Sequence, residues 1–343
     1  MSNKLYAKLV IGITLVICIV LGSMTAIIDP LFHFHAPLEI LSYDFLDERY
    51  MNDGISRHFD YDAIIIGTSL TESIKPSSVD EIFETHSIKI PYSGGRYKEI
   101  NNALCRALEY NPSTKIVFRC LDSNLLLNDP DYERYSNTPK YLYDDDIFND
   151  INYILNKDIF LNYTLHTLEY THSGNTTTSF DEYANWDSKA EYGTDALKNN
   201  LYLNQKASIE SVELTKEDYE KISRNVNQNI IPAVKNNPNT IFYMYFSPYH
   251  ISYWNERIYD GTFHYFIEAE KIAVTELLNY DNVKVFSFLE DQDFLCNDNY
   301  YKDPLHYSSA ANKILYEYMA DGMFQITTEN FEEHYSKIYT LYK

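Results

Sequence analysis

Apolar residues recur along this chain in two rhythms. Five short runs are near-continuously apolar and bounded by turn residues: DAIIIG (Asp62–Gly67), SIKIPYSGG (Ser87–Gly95), KIVFRCLDSN (Lys115–Asn124), TIFYMYFSP (Thr240–Pro248) and VKVFSFLE (Val283–Glu290). Their β-branched and aromatic content predicts strands buried on both faces. Between them the spacing changes to three and four. YKEINNALCRALEY places Ile100, Leu104 and Leu108 on one helical face. TKEDYEKISRNVNQNIIPAV opens on Thr215 and Asp218 as a cap, repeats Tyr219, Ile222, Val226 and Ile230, and kinks or ends at Pro232. Two more helical patterns, GTFHYFIEAEKIAVTELLNY and SSAANKILYEYMADGM, follow the fourth and fifth runs.

Strands alternating with helices predict an α/β domain over residues 59–343. The expected form is a three-layer α/β/α, flavodoxin-like arrangement around a five-stranded parallel sheet. In such sheets ligands meet the carboxyl ends of the strands. The Tyr/Asp/Asn-rich stretch 128–214 breaks the rhythm. It is expected as an insertion after strand three, large enough to form a lid over that edge.

A different pattern opens the chain. Lys4 and Lys8 precede the uncharged LVIGITLVICIVLGSMTAII, Leu9–Ile28. About twenty apolar residues at roughly 1.5 Å each span a bilayer core of about 30 Å. A cleaved signal has a shorter apolar region and small residues before the cut, and Met24-Thr25-Ala26 is a poor cleavage box. The reading is therefore a cytoplasmic N-terminus at 1–8, a membrane anchor at 9–28 and a connector at 29–58. The lysines at its start put everything after Asp29 outside the cell.

Charge narrows the partners. There are 28 Lys+Arg against 50 Asp+Glu, a net charge of −22, which argues against nucleic acid. The 33 tyrosines and 2 tryptophans suit half-wet clefts, or follow from codon usage. Cys18, Cys105, Cys120 and Cys296 form no CxxC pair, so neither a zinc site nor a thioredoxin motif is present. Asp144-Asp145-Asp146 lacks the glycine and spacing of a calcium loop and reads as a solvated turn.

Candidate chemistry lies at three strand ends. The first run leads through Gly67 and Thr68 to Ser69, which is either a nucleophile or the start of a Ser-x-x-Glu capping box with Glu72. After the fifth run, YYKDPLHYSSAANKIL places Asp303 three residues before His306, ahead of a helix capped by Ser308 or Ser309. A serine nucleophile needs a base, and the base needs an acceptor to hold its tautomer. Ser69, His306 and Asp303 supply all three from one edge. Gly94 and Gly95 end the second run, where bare backbone N–H groups could join that of Ser69 in an oxyanion hole; the alternative is an ordinary Gly-Gly turn.

In these blocks the chain resembles the SGNH, or GDSL-like, hydrolases over roughly residues 59–325. Gly67-Thr68-Ser69 matches the family's nucleophile block, with Thr where many members have Asp. Gly94 or Gly95 matches the second block, and Asp303 and His306 match the last. The third block departs: CLDSN replaces Gly-x-Asn-Asp, so Asn124 would be the third oxyanion donor while Asp122 holds the position nearer the strand. The resemblance implies catalysis by Ser69, His306 and Asp303 without a cofactor or metal.

With an anchor and a Tyr-rich lid, the chain is similar to a membrane-anchored extracellular subgroup. That subgroup includes the D-alanyl transfer protein of lipoteichoic acid synthesis and polysaccharide O-acetylation partners. The implied substrates are acetyl or D-alanyl esters of cell-envelope glycan or teichoic acid, with a membrane acyltransferase as a further partner. The negative charge suits a neutral or partly neutralised polymer better than a polyanion. Arg96 could hold an anionic group; Arg119 could do so too, or pair internally with Asp122. Tyr183, Trp186, Tyr249 and Trp254 could stack on sugars or pack the lid. Asn162-Tyr163-Thr164 and Asn175-Thr176-Thr177 are sequons only in a glycosylating cell. The other class of function open to this sequence is a non-catalytic polymer-binding or scaffold protein that kept the fold.

Overall fold

The computed structural model describes residues 2–135, 138–199 and 211–342. The chain divides into two compact units, Met1–Phe59 with Asn137–Ser179, and Asp60–Ser136 with Phe180–Lys343. The insertion expected as one lid over 128–214 is therefore split. Its middle belongs to the unit built on the N-terminal residues, and its two ends stay with the sheet.

The first unit contains the long helix α1, Asn3–Ile28, of 26 residues. It is long and apolar enough to cross a membrane. Leu9, Ile13, Val16 and Val20 are exposed on it. At its C-terminal end small residues admit neighbours: a Cβ on Gly22 would stand 2.7 Å from the Ile154 side chain. Asp29 then ends the helix in the left-handed conformation at φ 45°. Its buried carboxylate accepts from the N–H groups of His33, Phe34 and His35 at 2.7–3.0 Å and from the Tyr153 hydroxyl at 2.8 Å.

Residues 29–58, expected as a connector, include helix α2, Glu48–His58, capped by Asp47. Gly54 lets this helix press on the preceding loop, since a Cβ there would lie 2.4 Å from the Leu31 carbonyl oxygen. The rings of Tyr43, Phe45 and Phe59 surround Phe32.

The second unit is α/β. Its strands are β1 (Ala63–Ile66), β2 (Ser87–Lys89), β3 (Ile116–Leu121), β4 (Ile241–Phe246), β5 (Val283–Ser287) and β6 (Gln325–Ile326). They form one sheet in the order β2-β1-β3-β4-β5-β6. The first five pair in parallel, and the last pairs antiparallel with β5. The sheet is thus six-stranded and mixed, where five parallel strands were expected. A strand of two residues leaves no periodicity to read.

Strands β1 and β2 are buried at every position, β1 as its unbroken apolar run requires and β2 although it carries Ser87 and Lys89. Helix α3, Pro76–Phe83, packs with the helix Ser309–Ala320. Helix α4, Tyr97–Tyr110, packs with Lys216–Asn229, which in turn meets Phe263–Leu277. Thr215 and Asp218 cap reciprocally at the start of Lys216–Asn229. That helix breaks at Ile230, and Pro232 sits in the first turn of the next helix, where its missing N–H costs nothing.

Candidate functional site

Parallel pairing delivers the ends of β1, β3, β4 and β5 to one edge, and the candidate chemistry gathers there. Gly67 follows β1 because there is no room for a side chain. A Cβ would stand 2.6 Å from Thr71 Cγ2 and 3.0 Å from Cys120 Cβ. The chain then enters a 3₁₀ turn, Ser69–Thr71, whose cap position is Thr68. The Thr71 hydroxyl donates to the Thr68 carbonyl at 2.9 Å, which tightens the turn. Ser69 does not serve as a helix cap. Its Oγ lies 2.8 Å from His306 Nε2.

The second element is the loop after β5. His306 Nδ1 lies 2.9 and 3.0 Å from the two oxygens of Asp303. Asp303 also accepts the main-chain N–H groups of Leu305 and His306 at 2.9 and 3.0 Å. With Nδ1–H donating to a carboxylate, Nε2 presents its lone pair to the serine hydroxyl. Burial works to raise the Asp303 pKa, but the hydrogen bonds from His306 and the backbone outweigh it and hold the carboxyl below its ordinary value.

Both loops are fastened from below. The Ser73 hydroxyl donates to the Tyr307 carbonyl at 2.9 Å and accepts from Asn312 Nδ2 at 2.9 Å, while Ser309 Oγ donates to the Ser73 carbonyl at 2.6 Å. The serine and histidine segments therefore share one hydrogen-bonded seam, although 237 residues separate Ser69 from His306. Lys89, fully buried on β2, donates to the carbonyls of Glu72 and Ile74 at 2.6 and 2.9 Å and secures the far end of the serine turn. The histidine loop is pinned by the His250 N–H on the Pro304 carbonyl at 2.9 Å and the Tyr301 hydroxyl on the Pro248 carbonyl at 2.7 Å.

The glycines divide. The Tyr92 N–H donates to the Gly67 carbonyl at 2.9 Å, so the turn after β2 lies beside the Ser69 turn. Gly95 N–H closes that turn on the Tyr92 carbonyl at 2.8 Å, which removes Gly95 as an oxyanion donor. Gly94 occupies the left-handed region at φ 62°. Its N–H and that of Ser69 carry no hydrogen bond among the described residues.

Asn124 is held on both sides. Its Oδ1 accepts from the Tyr253 hydroxyl at 2.6 Å, and its Nδ2 faces the Tyr249 hydroxyl at 3.4 Å. The neighbouring Asp122 accepts from the Tyr249 hydroxyl and, at 3.0 Å, from the Asn124 main chain. The Tyr97 hydroxyl bonds both the carbonyl and the N–H of Asp122. Burial raises the Asp122 pKa above its ordinary value, only partly offset by Tyr249 and Asn124.

The expected sugar platforms also separate. Tyr183, Tyr249 and Trp254 are buried to within 1% and offer no ring face to a sugar. Tyr249 and Trp254 pack with Tyr253 around the start of the helix Ile251–Tyr259. Trp186 stays at the site. Its ring stands edge-on to His306 with centroids 5.7 Å apart, and Lys302 Nζ sits 3.5 Å above the indole. Burial lowers the Lys302 pKa despite nearby Asp303 and Glu72.

Arg119 is wholly buried and bonds the Asn229 carbonyl at 2.8 Å, and among the described residues it makes no ion pair with Asp122. Burial lowers its pKa to about 10. Arg96 lies beside the Gly94 turn, with Nη1 3.3 Å from the Gly94 carbonyl. Sequence reasoning did not single out Lys302, Ser73 or Asn312. Only the adjacency of Lys302 to Asp303 was there to find.

No family model, curated protein or solved structure matches this chain.

Proposed function

We propose that this chain is a membrane-anchored, extracytoplasmic serine esterase or acyltransferase of SGNH type. The observation that carries the reading is the continuous relay from Ser69 Oγ through His306 to Asp303, with bonds of 2.8 and 2.9 Å. Ser69 Oγ attacks the carbonyl carbon of an acyl ester, and its proton passes to His306 Nε2. The main-chain N–H groups of Ser69 and Gly94 receive the developing oxyanion. Collapse expels the alcohol, which takes the proton from His306 and leaves an acyl-serine. Water or a glycan hydroxyl then gives a proton to His306 and attacks the acyl carbon, and the bond to Ser69 breaks as Ser69 Oγ takes the proton back from His306 Nε2. Asp303 keeps His306 in the tautomer that both steps need and stabilises its cationic form.

The substrate class that fits is an acetyl or D-alanyl ester on a cell-envelope polymer. The helix α1 would tether the chain to the bilayer, with a membrane acyltransferase as a source of acyl groups. The test is fluorophosphonate labelling of the detergent-solubilised full chain, followed by peptide mapping. Label on Ser69 that disappears in His306→Ala supports the reading. A folded wild-type chain that takes no label and cleaves no aryl acetate overturns it.

A further inference from the structure

The turn that carries Gly94 also carries two cations. Arg96 follows it by two residues, and Arg134 reaches it from the segment after β3. A Cβ at Gly94 would stand 2.7 Å from Arg134 Nη1. Glu99 on α4 ties the two strands of chain together by accepting the main-chain N–H groups of Arg96, Arg134 and Tyr135 at 2.8–3.2 Å. Each guanidinium lies over a tyrosine ring, Arg96 over Tyr132 at 5.7 Å and Arg134 over Tyr135 at 5.5 Å. Those rings remain 48% and 37% exposed, enough to offer a face to a sugar.

The surrounding charges are paired off. Lys98 bonds Glu133 at 2.9 Å, and Asp131 takes Arg224 at 2.5 Å and Gln228 at 2.7 Å. Among the described residues neither Arg96 nor Arg134 has a carboxylate within ion-pair distance, and Arg96 Nε is buried without a hydrogen-bond partner. In a chain of net charge −22, two arginines without ion-pair partners at one turn need an explanation. Guanidinium groups bind phosphate and carboxylate as planar forks.

Resting on the esterase reading above, we propose that Arg96 and Arg134 form an anion-recognition subsite beside Gly94. The ester handled at Ser69 then belongs to a polymer bearing phosphate or carboxylate groups. The local charge reverses what the whole-chain charge suggests. The acidic surface repels a polyanion at range, while this turn binds one anionic unit and fixes the adjacent acyl group over Ser69.

The test separates the subsite from the chemistry. The full chain carrying Ser69→Ala, in detergent, is titrated calorimetrically with oligo(glycerol phosphate), oligoglucuronate and a neutral maltooligosaccharide of equal length. Binding of an anionic oligomer should weaken about tenfold or more in Arg96→Gln and in Arg134→Gln. It should weaken with added salt as well, and whichever anionic oligomer binds identifies phosphate or carboxylate as the source. Arg134 is exposed, so its variant should keep the wild-type melting temperature. Equal affinity for neutral and anionic oligomers, or anion binding unchanged in both variants, would overturn the subsite. Fluorophosphonate labelling of the wild type reads the chemistry independently. Anion binding without labelling removes the esterase and leaves the subsite; labelling without anion preference does the opposite.

Discussion

Two clusters of polar residues end strands of the same sheet, and they are built in opposite ways. At Ser69, His306 and Asp303 each polar group bonds the next in a chain that stops at a serine oxygen. At Asp122 and Asn124 the polar atoms are enclosed by the hydroxyls of Tyr97, Tyr249 and Tyr253. The two aspartates are displaced in opposite directions, Asp303 below its ordinary pKa and Asp122 above it. The difference teaches what would separate the proposed reactive site from a structural one when both are polar and share an edge. A reactive site leaves one group whose bonding is incomplete without substrate, and a structural one closes on itself.

The largest effect expected from this contrast is catalytic. Ser69→Ala and His306→Ala should each reduce ester turnover by about 10⁴-fold or more, because the members of a triad act as a unit. Neither should shift the melting temperature greatly, since Ser69 caps no helix. Turnover assays beside thermal melts check both. Gly94→Val comes next, with a loss in kcat of about 10²–10³ if its N–H meets the oxyanion. The positive φ adds strain, so its melting temperature must be measured too.

Asn124→Ala should behave in reverse. It leaves the Tyr253 hydroxyl without its acceptor in a buried place, which costs about 1–3 kcal/mol of stability. Its kcat should stay within about tenfold of wild type. A fall of about 10²–10³ at unchanged stability would instead make Asn124 an oxyanion donor.

The smallest effect is a difference of sign with pH. A carboxyl depressed in the folded state, as Asp303 is, gives stability that is present above its unfolded pKa of about 3.9 and is lost as pH falls through the folded value. A carboxyl raised in the folded state, as Asp122 is, gives stability that is full below about pH 3.9 and is lost as pH rises through the folded value. Relative to wild type, Asp303→Asn should therefore become less stable as pH rises from about 3 to 7, and Asp122→Asn more stable. Parallel slopes in the two variants' melting temperatures would dissolve the distinction.

Much of this was legible in the sequence because it is local. Strands β1 to β5 follow from short, mostly apolar runs, and the helices Tyr97–Tyr110, Lys216–Asn229, Phe263–Leu277 and Ser309–Ala320 from spacings of three and four. Ser69 stands within a few residues of the end of β1, and Asp303 and His306 stand three apart just before the helix Ser309–Ala320. What escaped depends on partners distant in sequence. Helix α2 reads as a connector because Asn52, Asp53 and Ser56 are buried beside Met51 and Ile55, which masks any apolar face. Tyr249 and Trp254 read equally as sugar platforms or as packing, and burial behind a helix start at His250 makes them packing. Gly94 and Gly95 looked equivalent, and only the turn geometry assigns the N–H of one to Tyr92.

The seam through Ser73, Tyr307, Ser309 and Asn312 has a consequence in time. Its Ser73, Ser309 and Asn312 are buried beneath the two loops and bonded to one another in the folded chain. On the proposed esterase reading, the orientation of Ser69 against His306 is set by the fold and is not repeated at each encounter. A chain built this way should react with a small activated acyl donor in a burst without a lag. Any slow step should belong to the arrival of the polymer or the departure of the product.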